Sequence, residues 1–183
     1  MRPDNITLIG FMGTGKSSVA KALKSFYPDY KVADCDSLVV DRSGKSIADI
    51  FQDEGEDVFR GLETAAIEES LSQTKKIVAT GGGAILRDEN RAFIHSHSWV
   101  VWLVASPETI YDRIKEEKHR PLINTGSSAE SIIIHIRMML HKRFELYREI
   151  TDVMINTDSL SPIEVANAIQ EELERLKKCS ASA

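Results

Sequence analysis

Short runs of apolar, mostly β-branched residues alternate along this chain with longer stretches in which apolar residues recur every three or four positions. The runs Ile6–Ile9, Lys31–Ala33, Lys76–Ala79, Trp99–Val104 and Asp152–Ile155 are nearly continuous in apolar character, which suits strands buried on both faces. Helix-forming stretches fill the gaps: Val19–Leu23 after the first strand, Ser46–Gln52 and Glu56–Ser72 after the second, and Arg87–His95 after the third. Ser106-Pro107 and Ser161-Pro162 each set an N-cap serine before a proline at the first helical position, and so start two more helices. The last carries the stripe Val165, Ile169, Leu173 and Leu176, and a long helix over Ser128–Ile150 carries Ile133, Ile136, Leu140, Phe144 and Tyr147. Strand and helix in alternation predict an α/β fold with about five parallel strands covered by helices. Ligands in such sheets bind beyond the carboxyl ends of the strands, so the residues after each strand carry the functional reading.

One segment breaks the order. Residues 116–128 are polar, contain Pro121 and Gly126, and separate two helices, which reads as a lid; the tail 179–183 reads as frayed. Otherwise 183 residues without repeats suit a single domain, 1–183. A net charge of −5 offers no basic stripe for nucleic acid, although local cationic pockets for small anions stay compatible with it. No apolar run is long enough to span a bilayer, and a strand beginning so near Met1 predicts no signal or transit peptide. Cys35 and Cys179 suggest neither a disulfide framework nor a metal site, so a cytoplasmic location is expected.

Candidate chemistry begins right after the first strand. Gly10-Phe11-Met12-Gly13-Thr14-Gly15-Lys16-Ser17 is a G-x-x-x-x-G-K-[ST] loop between a strand and a helix, the context that gives the pattern its meaning. Its glycines let successive N–H groups converge on phosphate oxygens, and the helix N-terminus adds its unpaired donors and dipole. Lys16 would reach the outer phosphates, and the Ser17 hydroxyl would ligate Mg²⁺.

Other strand ends supply further groups. Asp34 and Asp36 can divide the work of a phosphotransferase, one holding Mg²⁺ and the other accepting the proton of an attacking hydroxyl; alternatively, Asp36-Ser37 caps the helix that follows. Gly81-Gly82-Gly83 is either a flexible turn or bare backbone that an acceptor can approach. Arg60 and Glu63 share a helix face at i, i+3. They form either an ordinary exposed ion pair or a guanidinium fork aimed at an anionic substrate group by its carboxylate partner. Arg143 could supply a second fork, and Arg120, in the lid segment, a cation for the transferring phosphoryl group.

Taken jointly, these motifs resemble the shikimate kinase family from Ile6 to about Ile169. The resemblance rests on the loop Gly10–Ser17, Asp34-x-Asp36, Ser46–Phe51, Phe59-Arg60-x-x-Glu63, the triple glycine, Arg120-Pro121-Leu122 and Arg143-x-x-x-Tyr147. It implies transfer of the γ-phosphoryl group of ATP to the 3-hydroxyl of shikimate, in chorismate and aromatic amino-acid biosynthesis. It also implies a P-loop kinase of the nucleoside-monophosphate-kinase type, strand order 2-3-1-4-5, acting as a monomer with one Mg²⁺. The implied catalytic residues are Asp36, Lys16 and Arg120, and the implied metal ligands are Ser17 and Asp34. ATP would be held by Gly13, Thr14, Gly15, Lys16, Ser17, Ser18 and Arg120, with Arg113 and Pro162 sandwiching adenine. Shikimate would be held by Asp36, Arg60, Glu63, Gly81, Gly82, Gly83 and Arg143, the two arginines on its carboxylate. The nearest alternatives are a kinase of the same fold acting on gluconate or a nucleoside monophosphate, and a non-catalytic nucleotide-binding protein.

Overall fold

The structure is a computed structural model that describes residues 4–115 and 128–181. Five parallel strands form one sheet in the order β2-β3-β1-β4-β5: β1 Ile6–Ile9, β2 Lys31–Asp34, β3 Lys76–Ala79, β4 Trp99–Val104 and β5 Val153–Asn156. The order that the resemblance implies is the one observed. The connecting helices are α1 Lys16–Leu23, α2 Cys35–Ser43, α3 Ile47–Asp53, α4 Glu56–Leu71, α5 Asp88–His97, α6 Pro107–Ile114, α7 Ala129–Ile150 and α8 Pro162–Ala181, with a 3₁₀ turn over Ala84–Leu86.

Period-two alternation splits the strand side chains between two cores. Ile6, Leu8, Ile77, Ala79, Val101 and Leu103 pack against Val19, Ala20 and Leu23 of α1 and Val165, Ile169 and Leu173 of α8. Ile9, Val78, Val100 and Trp102 face the other way, against Phe59, Ile67, Ile94, Tyr147 and Ile150 of α4, α5 and α7. A smaller cluster joins Phe11 to Ile110 and Ile114 of α6 and Ile132 and Ile136 of α7, so the loop after β1 is anchored from below.

Three expectations need correction. Complete burial holds for β1 but not for the sheet edges: Lys31 and Val32 of β2 are exposed, and Met154 of β5 is 60% exposed. A strand with a neighbour on one side only has no second flank of cover. The second correction is α2, which starts at Cys35 with no intervening loop. Its cap is Asp34, whose carboxylate accepts from the Ser37 N–H at 3.2 Å, rather than Asp36-Ser37. The chain is therefore not extended through Asp34-Cys35-Asp36. Thirdly, β2 and β5 each end one residue later than the apolar runs suggest.

The serine caps fall where expected. Ser106 accepts from Thr109 N, while Ser161 and Glu164 bond reciprocally in a capping box. Residues 116–127, including the lid cation Arg120, lie outside the described residues.

Candidate functional site

The carboxyl ends of β1, β2 and β3 meet in a cavity of about 330 Å³ lined by Lys16, Ser17, Ser18, Asp36, Thr80 and Gly82, among others. Its floor is the loop after β1. Gly10 and Gly15 have φ of 146° and 89°, and a Cβ at Gly10 would overlap the Leu103 carbonyl, so no larger residue fits there. Thr14 Oγ1 donates to Phe11 O at 2.8 Å and closes the turn. Gly15 caps α1 without a side-chain bond, which leaves the first-turn N–H groups aimed toward a ligand. Lys16 is 8% exposed and donates from Nζ to Gly10 O at 2.8 Å and to Phe11 O at 2.9 Å, which folds it over the loop.

Beside the cradle, Ser17 Oγ donates to Asp34 Oδ2 at 2.5 Å. Asp36, the second residue of α2, brings its carboxylate against the triple glycine. A Cβ on Gly81 would come within 2.7 Å of Asp36 Oδ1 and would overlap Glu63 Oε1. The Gly81–Gly83 turn is thus bare backbone packed beneath two carboxylates. A Cβ on Gly82 would lie 3.0 Å from Met12 N, so this turn also abuts the phosphate loop.

The cationic side of the site comes from α4 and α7. Arg60 Nη1 donates to Glu63 Oε2 at 2.7 Å, while Nε and Nη2 share Glu56 Oε1 at 3.2 and 3.1 Å. Its guanidinium lies 5.1 Å from the centre of the Phe59 ring and would overlap a Cβ at Gly83. Arg143 Nη1 donates to Gly82 O at 3.2 Å, and its guanidinium sits 5.4 Å from the Phe11 ring centre. Arg60 and Arg143 thus reach the same turn from different helices.

Glu63 is 1% exposed, so the ion pair is not a surface one. Burial pushes its carboxyl above the usual carboxylate range; Arg60 offsets this only in part, and Asp36 adds to it. Burial works against the Arg60 charge, but Glu63 and Glu56 more than compensate and hold the guanidinium protonated. Oε1 of Glu63 is buried with no hydrogen-bond partner among the described residues.

A second cavity of about 200 Å³ adjoins the cradle, between Thr14, Ser18, Arg113, Thr157, Leu160 and Pro162. Arg113 donates to Thr157 O at 2.6 Å, Thr157 Oγ1 at 3.0 Å and Gly13 O at 3.2 Å, which ties α6 to both the phosphate loop and the end of β5.

Three contributors escaped sequence reasoning. Glu56 precedes Arg60 by four residues, the i, i+4 spacing of a helical ion pair. Tyr147, which lies on the apolar stripe of the long helix and in the Arg143-x-x-x-Tyr147 motif, donates its hydroxyl to Gly82 O at 2.9 Å and stacks on Trp102. Thr157 follows β5 directly, where strand ends collect ligands.

The shikimate kinase family model matches residues 12–174. A shikimate kinase from Thermodesulfovibrio yellowstonii is 38% identical over 172 residues, covering 94% of this chain and 96% of the relative. Among solved structures, shikimate kinase from Acinetobacter baumannii in complex with shikimate is similar at a TM-score of 0.88 and 33% identity, covering 97% of this chain and 96% of that one. A gluconokinase from Sinorhizobium meliloti has a TM-score of 0.66 at 22% identity over 99% of this chain and 98% of that one, a likeness of fold alone.

Proposed function

The chain belongs to the shikimate kinase family, ATP-dependent enzymes that phosphorylate the 3-hydroxyl of shikimate, and on that premise we propose how its residues divide the reaction. Phosphoryl transfer asks a protein mainly for positioning and for charge where the transition state is negative. The loop N–H groups, the α1 terminus and Lys16 hold the triphosphate. Arg113 and Pro162 flank adenine in the adjoining cavity, and Arg120 supplies a further cation for the transferring phosphoryl group.

Kinases of this family use Mg²⁺ with ATP. Ser17 and Asp34 offer two oxygen donors side by side, and no group of three or more His, Cys, Asp or Glu gathers among the described residues. Such a half-site suits an ion that keeps water and takes phosphate oxygens as its remaining ligands. When bound, the ion would neutralise charge on the outer phosphates.

Asp36 accepts the proton of the shikimate hydroxyl as that oxygen attacks the γ-phosphorus. Arg60 and Arg143 grip the shikimate carboxylate, Glu63 orients Arg60, and the Gly81–Gly83 backbone lets the ring approach closely. The single observation behind this assignment is convergence: Asp36, Arg60 and Arg143, from three different helices, all bear on one glycine turn that touches the phosphate loop. We further propose that the enzyme works as a monomer in the cytoplasm. The test is ADP release in the presence of ATP and a panel of acceptors. Turnover with shikimate is expected; turnover with gluconate or a nucleoside monophosphate but not shikimate would overturn the assignment.

A further inference from the structure

Two polar side chains at the start of α5 are buried without reaching the cavity: Asn90 is 1% exposed and Arg91 is 8% exposed. Asn90 Nδ2 donates to Ala84 O at 3.0 Å, and Arg91 Nη1 donates to Ile85 O at 2.9 Å. Ala84 and Ile85 open the 3₁₀ turn that continues directly from Gly81–Gly83. The remaining donors of Arg91 look outward: Nε donates to Glu149 Oε2 on α7 at 2.8 Å, and Nη2 pairs with Asp88 at 3.0 Å. The same α7 carries Arg143 and Tyr147, both of which donate to Gly82 O. The glycine turn and its 3₁₀ extension are therefore fastened to α7 twice, once in the site through Arg143 and Tyr147 and once behind it through Arg91 and Glu149.

We propose that Arg91 is a positioning residue for the acceptor: it holds the Gly81–Leu86 segment in register with α7, and so sets the spacing between Arg60, over Gly83, and Arg143, on Gly82. The inference rests on the reading of these two arginines as the carboxylate grip. Burying a guanidinium costs more than burying an apolar side chain of similar volume, so stability alone does not account for it. What a guanidinium does that a lysine or an apolar residue cannot is bond a main-chain carbonyl, an adjacent helix and its own helix in one plane. Two charged forks closing on one small carboxylate are sensitive to sub-ångström displacement of either. The nucleotide side, built on β1 and α1, takes no bond from Arg91 among the described residues.

The test is steady-state kinetics of the full chain with each substrate varied in turn, alongside thermal melting. Arg91→Lys is expected to raise KM for shikimate about tenfold, with kcat within about twofold and KM for ATP unchanged. Glu149→Ala removes only a half-exposed partner, and it should move the shikimate KM in the same direction by about threefold, with little change in melting temperature. An unchanged shikimate KM in Glu149→Ala overturns the inference, as does a parallel rise in both KM values; this variant decides alone if Arg91→Lys does not fold. Arg143→Ala serves as the reference: if it too leaves shikimate KM unchanged, it is the acceptor reading that has failed.

Discussion

Replacing Glu63 by glutamine separates the charge of this residue from its shape. Glu63 Oε2 accepts from Arg60 Nη1 at 2.7 Å, and the carboxylate is buried against Gly81 with Oε1 unpaired. Glutamine keeps an acceptor for Nη1 but makes that acceptor neutral while Arg60 stays charged, which costs about 1 kcal/mol. Against that loss, the variant no longer holds a buried, half-satisfied charge, a gain of similar size. The net stability change in Glu63→Gln should therefore stay within about 1 kcal/mol, or about 2–4 °C in melting temperature for a chain of this length. Glu63→Ala is different: it leaves Arg60 with Glu56 alone, opens a void, and should cost about 3 kcal/mol.

The pH dependence has a definite sign. Because the carboxyl of folded Glu63 lies above its unfolded value of 4.5, the native state binds the proton more tightly. This residue therefore makes stability fall as pH rises from 4.5 through the folded value, and Glu63→Gln removes that slope. Function should separate from stability: a less firmly aimed Arg60 should raise KM for shikimate about tenfold, with KM for ATP unchanged. Melting curves across acid pH and two-substrate kinetics read both quantities. A Glu63→Gln variant with wild-type shikimate KM, or one that unfolds as readily as Glu63→Ala, would refute the buried-pair reasoning.

Other substitutions probe neighbouring parts of the site. Asp36→Asn should lower kcat by about 10²–10⁴ while calorimetry still finds ATP bound, and near-normal turnover would remove the proton-acceptor role. Gly81→Ala puts a methyl group where Asp36 Oδ1 and Glu63 Oε1 now lie, so shikimate affinity should collapse at a stability cost of about 1–3 kcal/mol; intact shikimate kinetics would show that the turn can yield. Cys35 is fully buried, with burial pushing its thiol far up, whereas Cys179 is exposed. An aromatic disulfide reagent should therefore titrate one thiol rapidly in the native protein and a second only on unfolding; two rapid equivalents would contradict the packing around Cys35.

What could be read from the sequence, and what could not, follows from how local each interaction is. The phosphate loop is legible because its parts are consecutive: glycine conformations, a lysine and a helix start all lie within eight residues, and the chain need only pass from strand to helix. The five strands are legible because burial on both faces leaves a continuous apolar run. Burial on both faces does not hold at β2 and β5, since an edge strand is half solvated and a sequence does not say which strands become edges. The acceptor side is another matter. Asp36, Arg60, Gly82 and Arg143 meet only because β2 and β3 pair and α7 crosses behind them, and single residues in that set look like ordinary caps and surface pairs until the sheet order is known. The Asp34–Asp36 pair is ambiguous for a related reason, because a strand passing straight into a helix leaves Asp34 as the cap and Asp36 in the first turn, which the spacing alone does not say. Tyr147, Thr157 and Arg91 were harder still: each bonds main-chain carbonyls, which every residue possesses and no side-chain motif marks. Their signature is a polar side chain buried at the end of a strand or beside a turn, and burial is a property of the folded chain. What marks such supporting side chains is that they hold the carbonyls of a functional turn: here Arg143 and Tyr147 hold Gly82, Asn90 holds Ala84 and Arg91 holds Ile85.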